Sequence, residues 1–107
     1  MTAYAVAHMH SVEMGPQIVE YLQQVDATLD AFGGRFLVHG NPLDVREGRW
    51  DGHLIVIEFP DLDRAQAWYD SPRYREILPL RTEHSVTDVL LVGGVPAGYR
   101  AADSLAH

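Results

Sequence analysis

Apolar residues recur along this chain at two different intervals, and the intervals mark out its elements. Ile18, Leu22, Val25, Leu29 and Phe32 are spaced by three and four, the stripe of a single helix face. Pro16 is placed to open that helix and Gly33-Gly34 to close it. Tyr4 to Val12 alternates only loosely, but its β-branched and aromatic content predicts a first strand ahead of the helix. Arg35 to Gly40 reads as a second strand, ended by Asn41-Pro42, and His53 to Phe59 as a third. Asp61 or Asp63 can cap a helix through Ala65, Trp68 and Tyr69. Ser71-Pro72 then opens a short helix with Tyr74, Ile77 and Leu78 inward, and Pro79 is expected to limit it. Val86 to Val92 is the last strand, before Gly93-Gly94 and Pro96.

The order strand, helix, strand, strand, helix, strand predicts an α+β chain. Its form is the ferredoxin-like βαββαβ arrangement, a four-stranded antiparallel sheet with its helices on one face. The expected division is a domain over residues 1–95 and a polar, alanine-rich tail over 96–107. A sheet covered on one side leaves the other bare. Leu37, Leu54 and Val56 make that bare side apolar, so a second copy of the chain is the expected cover.

Glu47-Gly48, between Val45-Arg46 and Arg49-Trp50, reads as a tight turn. A hairpin centred there puts Phe36 and Val38 on one face with Ile55, Ile57 and Phe59. The other face then carries Arg35, Leu37 and His39 with Leu54, Val56 and Glu58, and a bulge near Asn41-Pro42 would undo the assignment.

Composition narrows the function classes. A chain of 107 residues with 47% hydrophobic content is one domain. It contains no cysteine, which excludes disulfides, thiolate nucleophiles and cysteine metal sites. All eight basic residues are arginine, so lysine Schiff-base and phosphate-loop chemistry are excluded too. A net charge of −7 opposes nonspecific nucleic-acid binding. No apolar run reaches the ~18–20 residues of a membrane span, and no secretory leader is visible, so a cytoplasmic location is expected.

Several segments together resemble the domain of unknown function 1330 family. They are Phe32 to Val38 (Phe-Gly-Gly-Arg-Phe-Leu-Val), Glu58-Phe59-Pro60 and, most specifically, Ala67-Trp68-Tyr69-Asp70-Ser71-Pro72-Arg73-Tyr74. Glu47-Gly48-Arg49-Trp50, Leu80-Arg81 and Leu91-Val92-Gly93-Gly94-Val95 fit the same pattern, and the likeness covers residues 4–95. It implies a dimeric α+β barrel, in a superfamily that includes cofactor-free antibiotic monooxygenases, muconolactone isomerases and haem-handling enzymes. The chain departs from the pattern around His8-Met9-His10 and beyond Val95.

Candidate chemistry gathers on the sheet and the kinked aromatic segment. Arg35 can anchor a carboxylate or enolate, with Glu58 as general base; the alternative is a structural ion pair beside a dimer seam. His39 is suited to acid–base work by its near-neutral titration. Trp68, Tyr69 and Tyr74 can wall an aromatic-binding pocket, with the Tyr74 hydroxyl as proton donor, although Trp68 also fits plain core. Arg81 can reach a ligand acid or the last carbonyls of its helix. His8 and His10 share one strand face and could bind zinc or iron with His39 or Glu58, but no third-ligand spacing supports this and no metal or other cofactor is assigned. Catalytic roles thus fall to Glu58, His39 and Tyr74, and substrate contacts to Arg35, Trp68, Tyr69 and Arg81. The leading expectation is a homodimer binding an aromatic or acid-bearing metabolite, with cofactor-free proton transfer, isomerisation, cyclisation or oxygenation as its chemistry. A noncatalytic dimeric accessory protein is the alternative, and it predicts a closed core with no pocket of about 300 Å³ or more; a metal- or haem-binding protein is a third reading.

Overall fold

A computed structural model describes residues 1–106 of the chain. The elements run β1 (Ala3–Val12), α1 (Pro16–Asp30), β2 (Arg35–His39), β3 (His53–Phe59), α2 (Leu62–Asp70), α3 (Pro72–Thr82) and β4 (Ser85–Gly93), followed by a short 3-10 turn at Ala101–Ala106. The strands form one sheet in the order β2-β3-β1-β4, antiparallel throughout. This is the ferredoxin-like βαββαβ arrangement. The last residue of the expected tail, His107, lies outside the described residues.

Alternation along β1 decides which side is covered. Ala3 and Ala5 are small enough for helices to settle closely over the sheet, and both are buried. They join Ile57 and Phe59 of β3 against Val25 and Leu29 of α1, Ala65 and Trp68 of α2, and Tyr74, Ile77 and Leu78 of α3. Two polar links fasten this layer. The Trp68 indole donates to Thr28 Oγ1 at 3.0 Å, and that hydroxyl donates on to the Val25 carbonyl at 2.6 Å. At the joint between α2 and α3, Ser71 Oγ donates to the Trp68 carbonyl at 2.7 Å and accepts from the Tyr74 amide at 3.3 Å. One serine therefore closes one helix and caps the next.

Three expectations need correction. First, α3 runs through Pro79 to Thr82 instead of stopping there. A proline inside a helix costs about 3 kcal/mol; here burial of Ile77, Leu78 and Arg81 on the core side holds the last turn in place, while Pro79 faces solvent. Second, Glu47-Gly48 is not a tight turn flanked directly by strands, although it lies in the segment between the paired β2 and β3. Residues 40–52 form an exposed arm without strand structure, although Gly48 does adopt a left-handed turn conformation at φ +76°. Third, the bulge lies inside β2 and not at Asn41-Pro42. Arg35 pairs with Glu58 and Phe36 with Ile57, but Val38 pairs with Val56 and His39 with Ile55. The register slips by one residue at Leu37. Directly opposed residues share a face, so Val38 moves to the open side and His39 to the helix side.

The open side carries Tyr4, Val6, His8, Leu54, Val56 and Glu58, continued on β4 by Leu90 and Val92 through their pairing with Val6 and Tyr4. Val86, Leu90 and Val92 are exposed there.

Candidate functional site

Between the helices and the inner sheet face lies a cavity of about 220 Å³. Its wall is mostly apolar: Ala5, Ala7 and Met9 of β1, Phe36 of β2, Ile55 and Ile57 of β3, with Ile18 and Leu22 of α1. The small side chains of β1 that admit the helices, Ala5 and Ala7, also line this space.

Polar groups enter the cavity at few points. Tyr21 comes from α1 and Tyr74 from α3, and their hydroxyls share a hydrogen bond at 2.7 Å. The Trp68 ring stacks near Tyr74 with centroids 4.1 Å apart. Burial, and then the neighbouring Tyr74 hydroxyl, raise the Tyr21 phenol well above its ordinary pKa, so it stays a neutral donor. Arg81 is 7% exposed, and its guanidinium sits 5.9 Å from the Tyr21 ring centroid. Burial works against the Arg81 charge, while the adjacent Tyr74 and Tyr21 oxygens favour it, and its pKa stands above the usual arginine value. Among the described residues, no carboxylate lies within ion-pair distance of this cation. His39 and His53 stand at the exposed rim, where the His39 ring stacks on Phe36 at 4.8 Å.

The residues expected to form one site are thus divided between the two sides of the sheet. His39, Trp68, Tyr74 and Arg81 line the cavity. Arg35 and Glu58 do not; they face the open side, where Arg35 Nε donates to Glu58 Oε1 at 2.9 Å and Nη2 lies 2.9 Å from the same oxygen. The expected trio of Arg35, His39 and Glu58 is dismantled by the bulge at Leu37. Tyr69 also lies outside the lining, packed beside Tyr74 at 5.5 Å with Arg75 over its ring at 5.4 Å.

Tyr21 was not expected in the site. Its signal is present in the sequence: it falls three residues after Ile18 and four before Val25, so a polar-tipped aromatic rides the buried stripe. His53 gives no such signal, because its role depends on the arm that brings Gly40 beside it.

A second polar cluster occupies the open side of β1. His8 stacks on Trp50 of the arm at 3.9 Å and on His10 at 3.8 Å. His10 lies between two carboxylates, with Nδ1 3.0 Å from Asp51 Oδ1 and Nε2 2.9 Å from Asp88 Oδ2. Hydrogen bonding to Asp88 and Asp51 raises the His10 pKa, and that from His10 lowers that of Asp51. Neither His39 nor Glu58 joins this group, contrary to the sequence expectation.

The architecture is that of a ferredoxin-like α+β protein with a compact cavity between its helices and sheet. The chain belongs to the family described as Domain of unknown function (DUF1330), which it matches over residues 2–95. No curated protein matches it. Among solved structures it is similar to a dimeric ferredoxin-like protein of unknown function from Jannaschia sp. CCS1, at 11% identity and a TM-score of 0.60, covering 88% of this chain and 100% of that one. A dimeric ferredoxin-like protein of unknown function from Thermobifida fusca YX is similar at 15% identity and a TM-score of 0.57, with 88% and 92% covered. A variant of SnoaB, a cofactor-independent oxygenase from Streptomyces nogalater, is similar at 14% identity and a TM-score of 0.57, with 92% and 98% covered. These likenesses establish the fold. No helix of the described residues is long and apolar enough to cross a membrane.

Proposed function

We propose that the chain binds a compact acid-bearing metabolite, with its ring or short apolar body in the cavity and its acid group on Arg81. The observation that carries this reading is a buried arginine without a carboxylate partner among the described residues, opening into an apolar cavity beside two tyrosine hydroxyls. Holding a charge at 7% exposure is costly unless it is paired. A ligand carboxylate supplies the missing partner in the bidentate geometry that guanidinium favours, and the Tyr21–Tyr74 pair has a hydroxyl proton free to donate to it. The volume of about 220 Å³ is below the ~300 Å³ at the low end of common ligand pockets. That size suits one substituted ring and excludes fused-ring compounds. The accessory-protein alternative expects no pocket of about 300 Å³ or more, so the volume does not separate the two readings and ligand binding must.

Acid–base chemistry on such a ligand falls to His39 at the rim and Tyr74 within, since Glu58 faces away. The cofactor-independent oxygenase among the fold neighbours supports a reaction that runs on protein groups alone, as an analogy of fold. The unit is proposed to be a homodimer joined through the open sheet face, as the exposed Val86, Leu90 and Val92 and the dimeric neighbours suggest.

The test is a thermal-shift screen comparing single-ring carboxylic acids with their neutral amides. Acids should stabilise the protein and amides should not, and the difference should vanish in Arg81→Gln and shrink about tenfold in affinity in Tyr74→Phe, roughly one charge-assisted hydrogen bond. Equal stabilisation by acids and amides, or by neither, overturns the reading without reference to any variant.

A further inference from the structure

We infer that His8, His10 and Asp51 form a binding site for one divalent transition cation on the open face of the sheet, separate from the cavity and independent of its function. One ring nitrogen of His8, one of His10 and an Asp51 carboxylate oxygen all lie within 4.8 Å of one another. Asp51 Oδ1 is 3.0 Å from His10 Nδ1 and 3.4 Å from His8 Nε2. Ligands about 2.0–2.1 Å from a tetrahedral zinc are separated by about 3.3–3.4 Å. Both separations from Asp51 to the imidazoles therefore already stand close to the spacing such an ion requires.

The surroundings are built to hold that arrangement. The β1–β4 register shifts between Met9 and Ser11, which leaves His10 out of the ladder and its ring beside that of His8. Trp50 stacks on the far side of His8 at an interplanar angle of 13°. Asp88 of β4 accepts from His10 Nε2 at 2.9 Å. Asp88 holds the proton on Nε2, and the ion displaces the Nδ1 proton now shared with Asp51, giving the carboxylate–histidine–metal relay in which an outer partner fixes the tautomer of a ligand. The remaining step is a change of His8 tautomer: its Nε2 now donates to the Asp51 carbonyl at 2.6 Å and must shed that proton to coordinate.

Two imidazoles and one carboxylate select zinc, nickel, copper or iron over magnesium or calcium, which prefer all-oxygen cages. Three protein ligands leave a fourth position for water or an exogenous group.

The experiment titrates chelator-treated full-length protein with Zn²⁺, with Mg²⁺ as control, and follows imidazole ¹⁵N shifts during the titration. One equivalent of Zn²⁺ should bind, shifting His8 Nε2 and His10 Nδ1, while Mg²⁺ does nothing. Asp88→Asn should weaken binding 10–100-fold at unchanged stoichiometry, the usual effect of losing an outer partner. Asp51→Asn, at a side chain 76% exposed and so safe for folding, should weaken it at least tenfold. His84→Ala should leave affinity unchanged. Absence of saturable binding overturns the site, as does binding that persists in the His8→Gln/His10→Gln double variant. Indifference to Asp51→Asn overturns the third ligand.

Discussion

Gly52 is the residue on which the geometry of the arm turns. Its φ is +79°, and a Cβ there would collide with the Met9 carbonyl and the His10 backbone. Only glycine lets the chain lie this close to β1 while turning left-handed. That approach is what brings Trp50 onto His8 and Asp51 beside His10. Gly52→Ala should therefore cost about 1–3 kcal/mol, the range for a strained backbone position, measurable as a lower urea midpoint at unchanged slope. It should also change Trp50 fluorescence, because the stacking depends on the same approach. Arg81 shows the opposite case at this scale. Nothing in its spacing distinguishes a helix-supporting arginine from a ligand-facing one; its burial beside Tyr21 does, and that comes from how α1 crosses α3.

At the scale of elements, Ser71 joins two helices with one hydroxyl. Ser71→Ala removes both the cap on α3 and the bond to the Trp68 carbonyl, and about 1–2 kcal/mol of stability should go with them. Because the joint also sets the angle at which Trp68 and Tyr74 enter the cavity, near-ultraviolet dichroism should change along with the unfolding midpoint. This joint was legible in the sequence, since serine followed by proline has few other uses. So were the helix stripe of α1, the three strands β1, β3 and β4, and Trp68, Tyr74 and Arg81 as candidates. The face of His39 was not legible. Hydrophobic alternation in Arg35 to His39 fits either register, and the slip at Leu37 is decided by pairing with β3 across an arm whose own path has no periodicity. Asp51 was hidden for the same reason: 41 residues separate it from His10, and only the folded arm connects them.

At the scale of the whole molecule, the sheet is a partition with separate chemistry on its two sides. The cavity under the helices joins an apolar wall to two tyrosine hydroxyls and a buried arginine, and the open face carries the Arg35–Glu58 pair, the histidine cluster and the exposed row Val86, Leu90 and Val92. If that row joins two copies, Leu90→Asp places a charge within the shared surface and should convert the dimer to a monomer in sedimentation velocity, with little change in far-ultraviolet dichroism. A dimer that survives the substitution places the contact elsewhere. Because a strand alternates sides, the extra residue at Leu37 behaves as a parity bit for everything beyond it. One codon gained or lost there exchanges an imidazole between the rim of the cavity and the open face of the sheet while leaving the chain's charge unaltered. In a lineage built on this fold, insertions and deletions inside β2 are then a cheaper route to a new inward-facing histidine than substitution, and two relatives with the same residues in the same order can differ in which side of the wall their acid–base group serves.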